Sequence, residues 1–138
     1  MSVLLGNHNS HQAYQQVGVE TASPGKLVIM LYEGMLRFLA QAKKSLEEKE
    51  VGWQEEVNNN IIKTQNVLLE LMAALNREKG GIIAENLLNL YTYIFDELTE
   101  ANLSKEKEKV EKVLPMLIPL KEAWEEAEKT YRKKGVRG

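Results

Sequence analysis

The sequence predicts an all-α fold, an antiparallel up-down four-helix bundle with a mobile N-terminal arm. Apolar residues recur at helical spacing through four segments, which are separated by short breaks at Val51–Gly52, Gly80–Gly81 and Ser104. No stretch shows strand-like alternation, and no glycine-rich phosphate loop or internal repeat occurs. The 138 residues suit one domain with its own core. Short connections between helices of roughly 20–28 residues favour antiparallel neighbours.

The composition of the N-terminal segment sets it apart as an arm. Glu20 is the only formally charged residue among residues 1–25, where Asn, Gln, Ser, His and Gly are frequent and no helical period is visible. Terminal segments of this kind are mobile unless they dock on the body. We therefore expect an arm over 1–22, a bundle over 23–134 and a frayed basic tail over 135–138.

The first helix is predicted to run from Pro24 to about Lys49. Ser23 can cap it by accepting a hydrogen bond from a first-turn amide, and Pro24 stands where a missing N–H costs nothing. The Val51–Gly52 pair then breaks the apolar pattern and marks the first connection.

The first helix is more apolar than a bundle helix requires. Between Leu27 and Ala40 only three residues are not apolar, and the apolar arc spans roughly 200° at the helical period. A bundle core uses a narrower stripe. Two explanations remain open. Either the helix is central and contacts two neighbours, or one flank, formed by Ile29 and Leu36, borders a groove for a partner.

The second helix is predicted from about Trp53 to Glu78 and is expected to end at Gly80–Gly81, since glycine readily adopts the left-handed conformation after a helix. Its core stripe follows a 3, 4 spacing and comprises Trp53, Val57, Ile61, Thr64, Leu68, Leu71 and Leu75. The opposite face comprises Asn58, Ile62, Gln65, Asn66, Leu69, Ala73 and Asn76. This uncharged mixture predicts a face that holds a partner helix, because aliphatic groups supply buried area and amides satisfy polar groups without burying charge. The arm or a second subunit remains an alternative occupant.

The third and fourth helices complete the predicted bundle. The third should run from about Ile82 to Leu103, with an inner face of Ile83, Leu87, Leu90, Tyr91, Ile94, Leu98 and Ala101. Ser104 is predicted to cap the fourth helix. The predicted inward stripe of that helix comprises Val110, Val113, Leu114, Leu117, Leu120, Trp124, Ala127 and Tyr131. Pro115 and Pro119 lie opposite this stripe, so we expect a helix bent around the core, with two helices broken near Pro115 as the alternative.

Composition and residue placement argue against several classes of function. Eighteen Lys and Arg against twenty Asp and Glu give a net charge of −2, without the basic excess of a nucleic-acid binder. There is no cysteine for a disulfide, a thiol nucleophile or a Cys-based metal site. His8 and His11 are the only histidines, and the surrounding Asn and Ser disfavour a helix that would bring them together on a metal. We expect no enzyme activity and no cofactor.

The sequence also predicts a protein that does not insert into a membrane. The longest strongly apolar run, from Leu27 to Tyr32, is far too short to span a bilayer. The N-terminus lacks both the charged start and the apolar core of a secretory signal. We therefore expect a cytoplasmic protein without a nucleic-acid partner, present as a monomer or a weak dimer.

Several segments closely resemble the family of flagellar secretion chaperones called FliS, and they occur in the same order as in that family. These segments are Gln12–Pro24, Leu27–Gly34, Ile61–Leu68, Asn86–Tyr93, Glu100–Leu103 and Glu122–Trp124. Any one of them is a weak signal, but the ordered set is strong and extends from Gln12 to about Tyr131. Pro115 and Pro119 depart from the family pattern.

The resemblance implies a four-helix bundle that binds the disordered C-terminal segment of flagellin, which becomes partly helical on the chaperone. It also implies that the chaperone keeps flagellin from polymerising early and presents it to the membrane protein of the flagellar type III export gate. In the family, the motif matched by Ala13–Tyr14 is linked to covering the cargo groove and to docking on the gate. The partner-binding residues expected from pattern and resemblance together are Tyr14, Ile29, Leu36, Ile62, Gln65, Asn66 and Leu69. The alternative is a structural bundle that self-associates through the same faces, without a dedicated cargo.

Overall fold

The computed structural model describes residues 13, 16–17 and 23–133. Within the described residues, four helices follow one another, and no residue lies in a β-strand. The helices are α1 (Pro24–Glu48), α2 (Trp53–Ala74), α3 (Arg77–Ser104) and α4 (Lys107–Lys133). The predicted all-α fold of four helices is confirmed. None of these helices combines the length and the apolar character that crossing a membrane would require.

The four helices form a ring in which each packs against two others. We call the line along which two neighbours pack a seam, and the seams are α1–α2, α2–α3, α3–α4 and α1–α4. Connections of two to four residues join the helices, so consecutive helices run antiparallel. The α1–α4 seam and the α2–α3 seam therefore lie on opposite sides of the bundle.

Within the mainly apolar core, a pair of tyrosines joins two diagonally opposite helices. The hydroxyls of Tyr32 on α1 and Tyr91 on α3 lie 2.6 Å apart and share a hydrogen bond. Burial raises the pKa of both phenols, because the low-dielectric interior disfavours the phenolate. Besides Tyr32, the largest fully buried side chains among the described residues are Met35, Leu39, Ile61, Leu68, Ile94, Leu98 and Leu117.

Helix α1 begins and ends as the sequence predicts. The Ser23 side chain accepts a hydrogen bond of 3.3 Å from the amide of Lys26, and Pro24 occupies the first turn. At the other end Lys49 adopts the left-handed conformation with φ 49°, and its amide donates to the Ser45 carbonyl at 2.9 Å. The predicted helix from Pro24 to about Lys49 is confirmed.

The predicted boundary between the second and third helices is wrong. Helix α2 ends at Ala74, and Asn76 starts α3 by accepting a hydrogen bond of 3.1 Å from the Lys79 amide. Gly80–Gly81 therefore lie inside α3 and do not end α2. Gly81 interrupts α3 with φ 56° and ψ −132°, a conformation that glycine tolerates because it lacks a Cβ. The Asn76 cap satisfies first-turn donors of a new helix, and this local bond decides the boundary.

The predictions for the start of the fourth helix and for its far end are also partly wrong. Ser104 is the last residue of α3 and does not cap α4, which starts at Lys107. Four residues predicted to face the core are exposed, namely Ile83, Trp124, Ala127 and Tyr131. They keep the helical period of the core stripes but lie at the end of the bundle where α3 begins and α4 ends. Fewer neighbouring turns are available there to cover them.

Helix α4 is continuous through both of its prolines. Pro115 and Pro119 lie inside Lys107–Lys133, and both are exposed, on the side away from buried Val113 and Leu117. The alternative prediction, two helices broken near Pro115, is therefore wrong. The donors that proline removes are lost on the solvent side, where the carbonyls left without them can bind water.

Candidate binding surfaces

Uncharged hydrogen bonds hold α2 and α3 together along their seam. The Gln65 amide nitrogen donates to the Phe95 carbonyl at 3.1 Å and to the Thr99 hydroxyl at 2.9 Å. Further along, the Asn102 amide nitrogen donates to the Asn58 side-chain oxygen at 2.8 Å. The amides of Asn58 and Gln65, which the sequence placed on the outer face of α2, thus join α2 to α3.

Aliphatic side chains lie exposed beside this seam. Ile62 is 43% exposed and Leu69 is 38% exposed, seven residues apart on α2. Between them Asn66 is half-buried, and its side chain makes no hydrogen bond with any residue that the structure describes. We call this surface the α2–α3 face, and it comprises Ile62, Gln65, Asn66 and Leu69 of α2 with Leu88 and Phe95 of α3. The ion pairs described between helices join α1 to α4 and α3 to α4.

Leu88 and Phe95 contribute to this face and were missed in the sequence. Both are half-buried, and each follows by one position a residue on the predicted inner stripe of α3, Leu87 and Ile94. A helix advances about 100° per residue, so this register forms a second apolar row beside the core stripe. That row was the signal from which the α3 side of the face could have been predicted.

Charged groups hold the opposite seam together. Lys43 of α1 pairs with Glu111 of α4 at 3.3 Å, and Lys107 of α4 pairs with Glu47 of α1 at 3.4 Å. Near the start of α1, the Glu128 carboxylate accepts a hydrogen bond of 3.3 Å from the Ser23 hydroxyl. The α1–α4 seam is therefore bordered by charges along its length.

Gly25 explains how the Glu128 carboxylate reaches the start of α1. A Cβ at position 25 would collide with a carboxylate oxygen of Glu128, so the absence of a side chain makes room for it. Helix α1 has no acidic residue in its own first turn. Glu128 supplies that negative charge from α4, where it favours the positive end of the helix dipole.

Two of the cavities along the α1–α4 seam lie near the start of α1, and one of them includes a predicted partner-binding residue. Ile29 is buried and lines a cavity of about 240 Å³, together with Met30 and charged side chains of both helices. Leu36 is half-buried and packs against the core. The second cavity, of about 440 Å³, is lined by Ser23, Pro24, Gly25, Trp124, Ala127, Glu128 and Tyr131.

Part of the N-terminal arm docks on α1. Ala13 and Val17 are buried, and Val17 lies so close to Gly34 that a Cβ there would be 2.5 Å from a Val17 methyl carbon. The Arg37 guanidinium donates a hydrogen bond of 3.0 Å to the Val17 carbonyl. The predicted partner residue Tyr14 lies outside the described residues.

The described part of the chain contains no group of three or more His, Asp or Glu side chains that could hold a metal ion. His8 and His11, the two histidines considered above, lie outside the described residues.

Comparison with known proteins gives consistent matches over most of the chain. A family model described as "Flagellar protein FliS" matches residues 7–131. The flagellar secretion chaperone FliS of Bacillus subtilis is 34% identical over 125 residues, which are 91% of this chain and 90% of that protein. The FliS of Campylobacter jejuni is 36% identical over 122 residues, 88% of this chain and 93% of its own. The FliS of Salmonella typhimurium is 38% identical over 120 residues, with 83% and 87% covered.

Proposed function

The chain belongs to the FliS family of flagellar proteins, and from this premise we propose that it is an export chaperone for flagellin. In this proposal it binds the C-terminal region of flagellin in the cytoplasm and prevents premature polymerisation. It then presents its cargo to the membrane protein of the flagellar type III export gate. The proposal is consistent with a family of chaperones, which is not a class of enzymes.

The observation that carries this proposal is the α2–α3 face. Ile62 and Leu69 are exposed and seven residues apart, a spacing that matches the apolar stripe of an amphipathic partner helix. A disordered cargo loses conformational entropy when it becomes helical, so it must bury apolar area to bind at all. The amide nitrogen of Gln65 is already bonded within the bundle, so the floor of the face requires few new polar partners.

Calorimetry with a flagellin C-terminal peptide tests the proposal. We expect the wild-type chain to bind, and the double substitution Ile62→Glu and Leu69→Glu to remove detectable binding, because two charges would have to be desolvated against an apolar stripe. Both side chains are partly exposed, so helicity and the melting temperature should stay close to wild type.

Val51→Glu is the matched control for that experiment. Val51 is a fully exposed aliphatic residue in the connection between α1 and α2, away from the α2–α3 face. This variant should bind the peptide as the wild type does. If the Ile62→Glu and Leu69→Glu variant still bound the peptide, the cargo would lie on another surface.

Val17 of the arm contacts Gly34 and Arg37 of α1, which lie outside the α2–α3 face, so a cargo that displaces the arm must extend onto α1. Val17 occupies the space beside Gly34, and the Arg37 guanidinium donates a hydrogen bond to the Val17 carbonyl. This part of the arm therefore has a defined binding position on α1 in the free chain. We infer that cargo displaces the arm from this binding position. Cleavage by a protease within residues 1–20 should become faster when the flagellin peptide is added. Unchanged cleavage would contradict displacement.

The α2–α3 face could also serve self-association, the alternative function predicted from the sequence. Light scattering of the free chain separates the two functions. We expect a monomer or a weak dimer that the flagellin peptide dissociates. A stable dimer that buries Ile62 and Leu69 and does not bind the peptide would favour the structural alternative.

A further inference from the structure

A row of exposed residues on α3 borders the α2–α3 face. Glu85, Thr92, Asp96 and Thr99 follow one another at intervals of seven, four and three residues, so they lie along one side of the helix. All four are exposed. Because the Thr99 hydroxyl accepts the hydrogen bond from Gln65, this row runs next to the seam.

The hydrogen bonds of the seam fix where each member of this row lies relative to α2. Gln65 contacts Phe95 and Thr99, and α2 and α3 are antiparallel. This register brings Asp96 level with Asn66, which is about midway between Ile62 and Leu69. A carboxylate therefore lies at the edge of the apolar stripe, opposite its centre.

The Asp96 carboxylate has no cationic partner among the side chains that the structure describes. From Gly80 to Ser104, α3 contains four acidic residues and no Lys or Arg. The adjacent Glu97 pairs with Lys112 of α4 at 3.3 Å, whereas Asp96 forms no ion pair with any described residue. The single cation of α2, Lys63, lies over the Phe38 ring of α1 at 5.6 Å.

We propose that Asp96 is a specificity-determining residue of the α2–α3 face and selects cargo helices that carry Lys or Arg beside their apolar stripe. This inference rests on the proposed function and names the kind of segment that the face accepts. The aliphatic side chains supply buried area in any register along the groove. Asp96 is the carboxylate of this row that lies opposite the centre of the stripe, so it speeds the encounter with a cationic segment and favours the register in which the two charges meet.

Association kinetics with the flagellin C-terminal peptide test this inference. Asp96→Asn keeps the shape of the side chain and removes its charge, and we expect the association rate at low salt to fall about threefold, as for an exposed ion pair at an interface. The difference should vanish near 1 M NaCl, where the screening length is only about 3 Å. Glu126→Gln is the matched control, since it removes one exposed carboxylate from α4, outside the face, and it should leave the rate at its wild-type value.

A second measurement identifies the partner charge. Each Lys or Arg of the peptide is replaced singly by Gln, and one replacement should slow binding to the wild type but not to the Asp96→Asn variant. Equal rates for the Asp96→Asn variant and the wild type would overturn the inference, as would an equal loss in the Glu126→Gln control. These results would leave the proposed function intact as long as the Ile62→Glu and Leu69→Glu variant fails to bind. A wild-type chain that does not bind the peptide would overturn both.

Discussion

The α1–α4 seam and the α2–α3 seam lie on opposite sides of the bundle and are crossed by different kinds of polar contact. Across the first, Lys43 pairs with Glu111, and Glu47 pairs with Lys107. Across the second, the Gln65 amide nitrogen bonds the Phe95 carbonyl and the Thr99 hydroxyl. Exposed ion pairs contribute little and weaken with salt, whereas neutral hydrogen bonds are insensitive to screening.

The difference matters because a partner that covers a seam must remove water from it. Covering the α1–α4 seam would desolvate several charges, and the cost of burying charges can exceed the attraction between them. Covering the α2–α3 face would bury aliphatic side chains beside Gln65, whose amide nitrogen already has partners, and beside the amide of Asn66, which a cargo helix can bond. The chain therefore concentrates its charges on one side and leaves the other side suited to a helix.

The largest effect is expected at alkaline pH, where both seams should weaken together. Burial raises the pKa of Tyr32 and Tyr91 in the folded state, and an unfolded tyrosine ionises near pH 10. Their contribution to stability is complete below that pH. It falls as the pH rises further, by up to about 1.4 kcal/mol per pH unit for each phenol. Urea unfolding at several pH values between about 8 and 11 measures this loss of stability, because that range brackets the ordinary tyrosine pKa of about 10.

The Tyr91→Phe variant is the control for that titration, because it retains the ring and removes one phenol. Its unfolding free energy should fall less steeply above pH 10 than that of the wild type. An equally steep fall would mean that other groups cause the alkaline loss. Both seams depend on the core between them, so the alkaline loss of stability should affect the two seams equally.

A smaller effect should separate the two seams directly. Gln65→Ala should lower the free energy of unfolding by about 1 kcal/mol, at low and at high salt, because it removes neutral hydrogen bonds. Lys43→Ala should lower it by less than about 1 kcal/mol, and only at low salt, because its partner Glu111 is exposed. Urea denaturation at two NaCl concentrations measures both. A salt-dependent loss for Gln65→Ala would contradict the comparison.

The smallest effect concerns the two lysines that hold the left-handed conformation. Lys49 and Lys105 have φ 49° and 57°, where a Cβ is unfavourable and glycine is not. Lys49→Gly should raise the unfolding free energy by about 0.5–1 kcal/mol, with the loss of its contact over Trp53 as a small offset.

Lys105→Gly should gain less than Lys49→Gly. The Lys105 ammonium donates to the side-chain oxygen of Asn102 at 2.9 Å, and Asn102 bonds Asn58 in the α2–α3 seam. Replacing Lys105 therefore relieves the backbone but removes a polar contact of that seam. Thermal melts of the two variants compare the gain from the relieved backbone with the loss of the polar contact. An equal gain in the two variants would show that Lys105 adds nothing to the α2–α3 seam.

Local signals in the sequence were reliable where one short segment contained the whole interaction. Ser23 and Pro24 predicted the start of α1, because the cap involves only the Lys26 amide three residues away. The same kind of signal misled at Gly80–Gly81, because Asn76 offered a competing cap whose bond to Lys79 starts α3 earlier. Which of two local signals prevails was not evident from the pattern alone.

The uncharged, partly aliphatic outer face of α2 was also visible in the sequence, including Ile62 and Leu69. The contribution of α3 to this face was not, because the half-buried rows of a helix depend on where its neighbour lies. Likewise Ile83, Trp124 and Tyr131 continue the period of a core stripe, yet they are exposed at the end of the bundle.

By itself, the sequence determined that this protein is all-α, that it has four helices, and that its charge is unevenly placed. Helical periodicity and caps depend on residues within a few positions of one another, so the chain order contains them directly. Only the tertiary structure decided that Gln65 bonds Phe95 and Thr99 and that Glu128 lies against Gly25. These contacts join residues thirty or more positions apart, and they form only when packing of the core fixes the register between helices.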